Sequence, residues 1–358
     1  MSHRPTTVAD IPDFPVIIDA RTPAEFALDH LPGAINCPVL DDEQRRIVGT
    51  IYVQVSAFEA RKIGGAFVAR NIAHHLETLF HDKPRDWRPL VYCWRGGLRS
   101  GSFVHWLRLV GWDAQQLKGG YKAWRAHVVE QLTALAPQLD LRVLCGPTGS
   151  AKTRVLQALL ARGEQVLDLE ELAAHRGSVL GGLPGREQPS QKGFETQLMQ
   201  RLAGFDLGRR VWIEAESRRI GRITVPEPLL QRLRASPLVE IAASPAARLA
   251  YLLRDYAWLG DDRQALADKL GSLRELLPRD VLAQWQHWAL QGELPALFDA
   301  LMARHYDPLY ARSQGRQLQR LGQAQRVACD DLSDDGIQAL ADRIAAGLTE
   351  PVPAASGS

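Results

Sequence analysis

Lysine is scarce in this chain of 358 residues: only seven of its 43 basic side chains are lysine, and the rest are arginine. Cysteine is scarcer still. Cys37, Cys93, Cys145 and Cys329 are scattered and form no Cys-x-x-Cys pair, which argues against both a structural zinc site and a disulfide framework. No apolar run approaches the roughly 18 residues that span a bilayer. The opening MSHRPTTVADIPDF lacks a basic-then-apolar leader, so a cytoplasmic protein with no membrane partner is expected. Internal repeats and low-complexity blocks are absent. The net charge of +2 is too small to indicate a partner by itself. The arginines do cluster locally, at Arg218, Arg219 and Arg222 and along Arg312, Arg316, Arg320 and Arg326. Such clusters are either solvated faces or surfaces that track nucleic-acid phosphates, and composition does not choose between them.

What is present is an alternation of strand and helix, long enough for two cores. VIIDA (16–20), AINCPV and PLVYCW read as strands, with helical stretches at PAEFALDH, from about Arg61 to Phe80, at SGSFVHWLRLVGW and at GGYKAWRAHVVEQLTAL. LRVLC, QVLDLE, RVWIEAES and PLVEIAA repeat the pattern, and Ser244-Pro245 fits an N-cap followed by proline at the first helical position. From about Asp261 to Ala311 the pattern is helical almost throughout. Strands separated by helices predict α/β architecture with parallel sheets. The expected division is a domain over 12–135, a break at Ala136-Pro137-Gln138, a domain over 140–348 with a helical C-terminal part, and a frayed tail over 351–358.

Two loops sit where parallel sheets present their ligand sites. The first, Cys93-Trp94-Arg95-Gly96-Gly97-Leu98-Arg99-Ser100, runs from a strand into a helix. The helix N-terminus and the Arg95 and Arg99 guanidinium groups favour a thiolate at Cys93. Gly96 and Gly97 let backbone N–H groups converge on an anion. A buried inert cysteine is the alternative. Cys-x5-Arg serves two chemistries, phosphate-ester hydrolysis through a phosphocysteine and sulfur transfer through a persulfide.

The second loop, Gly146-Pro147-Thr148-Gly149-Ser150-Ala151-Lys152-Thr153, fits the Walker A pattern at Gly146, Gly149, Lys152 and Thr153. There, loop amides and a lysine hold phosphates while the hydroxyl meets Mg²⁺. The glycine expected before the lysine is Ala151. Alanine adopts helical backbone angles, so the exchange is read as tolerated. Glu214 or Glu216, at a strand end, would hold Mg²⁺, or else pair with Arg218 or Arg219. Trp258, Trp285 and Trp288 in the helical part read as core rather than as stacking platforms.

Asp19-Ala20-Arg21-Thr22-Pro23-Ala24-Glu25-Phe26, His30-Leu31-Pro32-Gly33-Ala34 and Gly119-Gly120-Tyr121-Lys122-Ala123-Trp124 resemble the signatures of rhodanese-like sulfurtransferases. Tyr92 stands where phosphatases of the Cys-x5-Arg type place histidine. Strings that neither generic pattern contains extend the likeness from about Ile11 to Gly347. They include PVLDDEQRRIVGTIYVQ, YCWRGGLRSGS, DLEELAAHRGSVLGG, QPSQKGFE (Gln188 to Glu195) and IEAESRRIG. Together these resemble the bacterial tRNA 2-selenouridine synthase family.

The resemblance implies a rhodanese-like domain followed by a P-loop domain, acting on tRNA that bears 2-thiouridine at the wobble position. It implies geranylation of the sulfur from geranyl diphosphate, then replacement of the geranylated sulfur by selenium from selenophosphate. Cys93 would carry the selenium as a selenylated cysteine, and Arg95, Gly96, Gly97 and Arg99 would bind selenophosphate. Gly146, Gly149, Lys152 and Thr153 would grip the diphosphate, and Arg218, Arg219 and Arg222 are candidate tRNA contacts. No tightly bound cofactor beyond Mg²⁺ is expected. Competing readings are a Cys-x5-Arg phosphatase joined to a kinase-like domain, a tRNA sulfurtransferase, and a rhodanese-type adaptor without activity.

Overall fold

The structure, a computed structural model, describes residues 5–177, 181, 185–317 and 321–347. The 351–358 tail and Arg320 lie outside the described residues, as does the Arg316 side chain. The chain forms two compact units. One comprises residues up to Gln131 together with Pro189–Thr196, and the other comprises Leu132–Gln188 and the chain from Gln197 onward. The expected break at Ala136-Pro137-Gln138 lies within the second unit, beyond Gln131. Pro189–Thr196, however, belongs with the first unit, although its place in the sequence puts it inside the second.

The first unit is built on a parallel sheet of β1 (Val16–Asp19), β2 (Ile35–Asn36), β3 (Pro89–Tyr92) and β4 (Gln115–Gln116), in the order β2-β1-β3-β4. Ile18, Val91, Phe80, Phe103 and Leu107 form its core. The stretch Asp42–Gln54 is a helix, which the β-branched run in GTIYVQ disguised. Its start is fixed by Asp41, whose carboxylate accepts from the Gln44 N–H at 2.7 Å.

Beneath the sheet edge lies a buried polar network. Arg21 is paired with the Asp19 carboxylate at 2.6 Å and donates to the Asp29 carbonyl at 2.7 Å. The Tyr92 hydroxyl donates to Asp19 at 2.6 Å, and the Tyr121 hydroxyl donates to Asp29 at 2.7 Å. The Arg21 guanidinium lies 3.9 Å from the Tyr121 ring centroid. Arg21 matches the Asp19 charge, and Arg125 approaches the Asp29 carboxylate at 3.7 Å, as burial demands. The Asp-x-Arg and Gly-Gly-Tyr elements of the signature therefore hold the first unit together.

The second unit carries five parallel strands in the order β11-β10-β5-β7-β6. They are β5 (Asp140–Cys145), β6 (Gln165–Leu167), β7 (Arg210–Glu214), β10 (Leu238–Ala243) and β11 (Gln325–Cys329), and a small antiparallel hairpin, β8 (Arg219–Ile220) and β9 (Ile223–Thr224), follows β7. Strand β11 was not apparent in the sequence, because three of its five residues face solvent at a sheet edge. The expected strand QVLDLE ends at Leu167, where Asp168 caps a short helix by accepting from the Glu171 N–H at 2.8 Å. Helices Arg263–Leu270, Arg279–Gln291, Leu294–Leu301 and Asp307–Gln317 follow, with a π-helical turn at Met302–Tyr306. Trp285 is in the core and Trp258 and Trp288 pack against it. No helix among the described residues is long and apolar enough to cross a membrane.

Candidate active sites: a thiol loop and a phosphate loop

Strand β3, internal to its sheet, presents Cys93 just past its C-terminal end, and the helix Leu98–Val110 begins five residues later. The thiol is nearly covered, with 3% of the residue exposed. Ser100 Oγ lies 3.1 Å from Cys93 Sγ and donates to it, while Gln116 Nε2 donates to Ser100 Oγ at 2.8 Å. Neither Ser100 nor Gln116 stood out in the sequence, since serine and glutamine at these spacings carry no motif.

The glycines have a steric reason. Gly96 and Gly120 both adopt positive φ, and a Cβ at Gly120 would overlap the Cys93 carbonyl oxygen. With that space open, Tyr121 N–H donates to the Cys93 carbonyl at 2.8 Å and Lys122 N–H to the Trp94 carbonyl at 3.0 Å. The start of the helix Gly120–Leu135 thus clamps the loop.

Arg95 is exposed and makes no hydrogen bond or ion pair among the described residues, whereas Arg99 is tied to the Glu25 carboxylate at 2.7 Å. Burial alone would raise the Glu25 pKa, but the bond and charge of Arg99 outweigh it and hold this carboxyl below its usual range. The other cysteines are held as thiols: burial pushes Cys37 and Cys145 up to about 12 and raises Cys329.

The phosphate loop follows β5. Gly146 and Gly149 have positive φ, and both are hemmed in. A Cβ at Gly146 would lie 2.8 Å from the Ile241 carbonyl, and one at Gly149 would lie 3.1 Å from Leu252. Lys152 Nζ donates to the Gly146 carbonyl at 2.9 Å. The tip is fixed by buried Arg248, whose Nε donates to the Thr148 carbonyl at 2.8 Å while Asp307 holds the guanidinium at 2.6 Å. That brace joins residues 59 positions apart in sequence and carries no pattern to read.

Ala151 corrects the sequence expectation. It is not helical: its φ of 56° and ψ of 25° place a non-glycine residue in the left-handed region, at the cap of the helix Lys152–Ala161. That conformation costs alanine about 1–2 kcal/mol. Ala151→Gly is therefore expected to stabilise the second unit by up to about 1 kcal/mol, after glycine's greater flexibility in the unfolded chain is deducted. Thermal unfolding checks it, with diphosphate affinity measured beside it. A lower melting temperature or clearly weaker affinity would contradict the strain assigned here.

Beside the loop, Thr153 Oγ1 donates to Glu170 at 2.9 Å, and carboxylate oxygens of Glu170, Glu214 and Glu216 lie within 4.8 Å of one another. Glu170 was missed because it lies after β6, far in sequence from the other two. Neither Glu214 nor Glu216 pairs with Arg218 or Arg219 among the described residues, so the ion-pair alternative is not formed. Glu214 is buried, and its Oε2 has no hydrogen-bond partner. Three oxygen donors converging beside a phosphate-loop threonine, one of them buried and unpartnered, fit a hard divalent cation such as Mg²⁺.

Burial, then the Glu170 charge, pushes Glu216 up to about 8, against the opposing pull of Lys152. Burial raises Glu214 well above its usual range and Glu170 more modestly. Because the folded state holds protons that the unfolded state releases, the metal-free protein should lose stability as pH rises from about 4.5 to 8. The slope should be about 1.4 kcal/mol per pH unit for each retained proton. Millimolar Mg²⁺ should remove much of that loss. His75, His175 and His305, whose pKa values burial lowers, act in the opposite direction below about 6.5. The carboxyl contribution is therefore read as the difference from Glu216→Gln, and a pH dependence unchanged in that variant without Mg²⁺ would overturn the assignment.

Arg218, Arg219 and Arg222 lie exposed on and around the β8–β9 hairpin. Arg222 donates to the Gln188 carbonyl, while Arg218 and Arg219 form no ion pair among the described residues. In the other cluster, Arg326 approaches Glu240 at 3.7 Å and Arg312 donates to the Pro308 carbonyl at 3.0 Å, so that row is partly committed to its own surroundings.

A parallel-sheet unit with a cysteine loop, followed by one with a phosphate loop, defines a rhodanese-like domain joined to a P-loop domain. The Rhodanese-like domain family matches residues 5–127, and the tRNA 2-selenouridine synthase AAA domain family matches residues 139–279. The chain is similar to the tRNA 2-selenouridine synthase of Nitrosomonas europaea, with 37% identity over 256 residues covering 70% of this chain and 64% of that protein. It is 32% identical to the tRNA 2-selenouridine synthase of Marinobacter nauticus over 363 residues, which cover 90% of this chain and 96% of that one. Among solved structures, a rhodanese-related protein from Thermoplasma volcanium matches at 19% identity, over 35% of this chain and 93% of its own, with a TM-score of 0.23. The chain belongs to the tRNA 2-selenouridine synthase family.

Proposed function

We propose that this protein converts 2-thiouridine at the tRNA wobble position to 2-selenouridine in two transfers, one served by each loop. In the first, the thiocarbonyl sulfur attacks C1 of geranyl diphosphate. A C–S bond forms, the C–O bond breaks, and diphosphate leaves into the cradle of Gly146, Gly149, Lys152 and the loop amides. Thr153, Glu170, Glu214 and Glu216 would hold Mg²⁺, which when bound supplies charge for the departing diphosphate. Lys152 and the amides supply the fixed positive charge that the leaving group needs. In the second transfer, selenophosphate sits at the Cys93 loop, with Arg95, Arg99 and the amides of Gly96 and Gly97 facing its phosphate oxygens. Its selenium attacks C2: a C–Se bond forms and the C–S bond breaks, with geranyl thiolate as the leaving group. The P–Se bond then breaks as the Cys93 thiolate takes the phosphoryl group, which water releases as phosphate.

The observation that supports a prenyl diphosphate is apolar. A cavity of about 20 Å³ opens beside Thr148 of the phosphate loop and is walled by Leu252, Leu259, Phe298, Leu301 and Tyr306. Its walls, which also include Tyr256, are mostly apolar and offer a hydrocarbon chain the contacts it would seek. It is large enough for about one water, so a ten-carbon chain must part its walls. The π-helical turn ending at Tyr306 is the irregular element in that wall. Incubation with 2-thiouridine tRNA, geranyl diphosphate and selenophosphate, followed by nucleoside mass spectrometry, tests the reading. Absence of S-geranyl-2-thiouridine and 2-selenouridine would refute it, and 2-thiouridine formed from unmodified tRNA would favour a sulfurtransferase.

The hairpin arginines carry a further expectation. Charge reversal at Arg218, Arg219 and Arg222 should weaken tRNA binding and flatten its dependence on salt by roughly one unit of slope per lost phosphate contact. Affinity unchanged at every salt concentration would remove them from the interface.

A further inference from the structure

The string Gln188 to Glu195 has no part in either loop, yet Pro189–Thr196 packs in the first unit, and its fastening is elaborate. Ser190 Oγ donates to the Leu28 carbonyl. Arg125, largely buried, donates through Nη1 to the Lys192 carbonyl at 3.2 Å and to Thr196 Oγ1 at 3.3 Å, and pairs through Nη2 with Glu195. The backbone on both sides of Lys192 is thereby fixed. Its amine lies 5.7 Å from the Trp94 ring centroid and 6.0 Å from that of Tyr121, and it has no carboxylate partner among the described residues. Trp94 directly follows Cys93, and the Tyr121 N–H is bonded to the Cys93 carbonyl.

A lysine serving only solubility has no need of a clamped backbone. Arg95, the other unneutralised cation of the loop, stands two residues from the thiol. We propose that Lys192 completes an oxyanion subsite at the thiol loop, so that a small phosphate-type anion is met by Lys192, Arg95 and the loop amides beside Cys93. The aromatic pair attracts the exposed ammonium without neutralising it, which leaves its charge available to the ligand. This rests on the reading of the thiol loop as an anion site, and it adds a cation that the loop motif does not contain.

Two alkylating reagents test it on the full chain, with Cys93 modification followed by peptide mass spectrometry. Iodoacetate is anionic and iodoacetamide neutral, so their rate ratio reports local potential independently of thiol nucleophilicity. Relative to a free small thiol, the wild-type ratio should favour iodoacetate, and inorganic phosphate should protect. Lys192→Gln should lower the ratio roughly threefold or more at low salt and weaken protection by phosphate. Lys192→Arg should retain both, and Lys269→Gln, at a lysine that also lies over a tryptophan ring, should change neither. An unchanged ratio and unchanged protection in Lys192→Gln would overturn the role of Lys192 alone. No iodoacetate preference and no phosphate protection in the wild type would overturn the anion-site reading of the loop, and Lys192 with it.

Discussion

Lys152→Ala is expected to lower geranylation of 2-thiouridine tRNA at least about a hundredfold, the scale of removing one preorganised charge from a leaving-group site. The same variant should still insert selenium into tRNA geranylated beforehand by the unmodified enzyme. Among the described residues the amine donates to the Gly146 carbonyl and forms no ion pair. Its charge nevertheless offsets the buried Glu170 and Glu216 carboxyls, so a thermal melt run beside the assay shows that the variant is folded. Cys93→Ser should show the opposite pattern. The hydroxyl keeps the loop's shape and the neighbourhood of Ser100, but stays protonated where a thiolate is needed. S-geranyl-2-thiouridine should then accumulate without 2-selenouridine. Nucleoside mass spectrometry on both variants reads both steps at once. If folded Cys93→Ser fails to geranylate, or Lys152→Ala geranylates normally, the division of labour is wrong and one shared centre serves both reactions.

Arg21→Ala should destabilise the first unit by about 3–5 kcal/mol, because Asp19 would be left charged and buried. Both side chains are essentially solvent-free, at 1% and 0% exposure. The Asp29 carbonyl and the face of Tyr121 would lose their partner as well. The melting temperature of this unit should fall by roughly 10 °C or more. Lysine at this position should rescue little, since it cannot make the forked contact to the carboxylate. A near-native melting temperature for Arg21→Ala would show that the network is dispensable, and that the signature marks something other than scaffold.

Both loops were legible because their chemistry demands local sequence: glycines where backbone must pass closely, a nucleophile or lysine at a strand end, and a helix directly after. The parallel sheets were legible for a related reason, since buried strands such as PLVY and LRVLC are continuous apolar runs. What stayed hidden depends on distance along the chain. Glu170 joins Glu214 across 44 residues, Arg248 braces Thr148 across 100, and Gln116 reaches Ser100 across 16. None of these has a spacing that repeats. Ala151 failed for a subtler reason: a missing glycine can be spotted in sequence, but whether its replacement bears a left-handed backbone is a matter of coordinates.

The return of Pro189–Thr196 to the first unit bears on how this protein can be dissected. A fragment cut at residues 136–138 would carry the whole cysteine loop and look like a self-sufficient sulfurtransferase module. It would nevertheless lack Glu195, leaving Arg125 to Asp29 alone at 3.7 Å, and would expose the surface that Ser190 and Gly193 now cover at Leu28. Poor solubility or sluggish thiol chemistry in such a fragment would therefore be an artefact of the cut. The two units are interleaved in chain, so a faithful minimal version of the first has to graft the eight-residue strap back on.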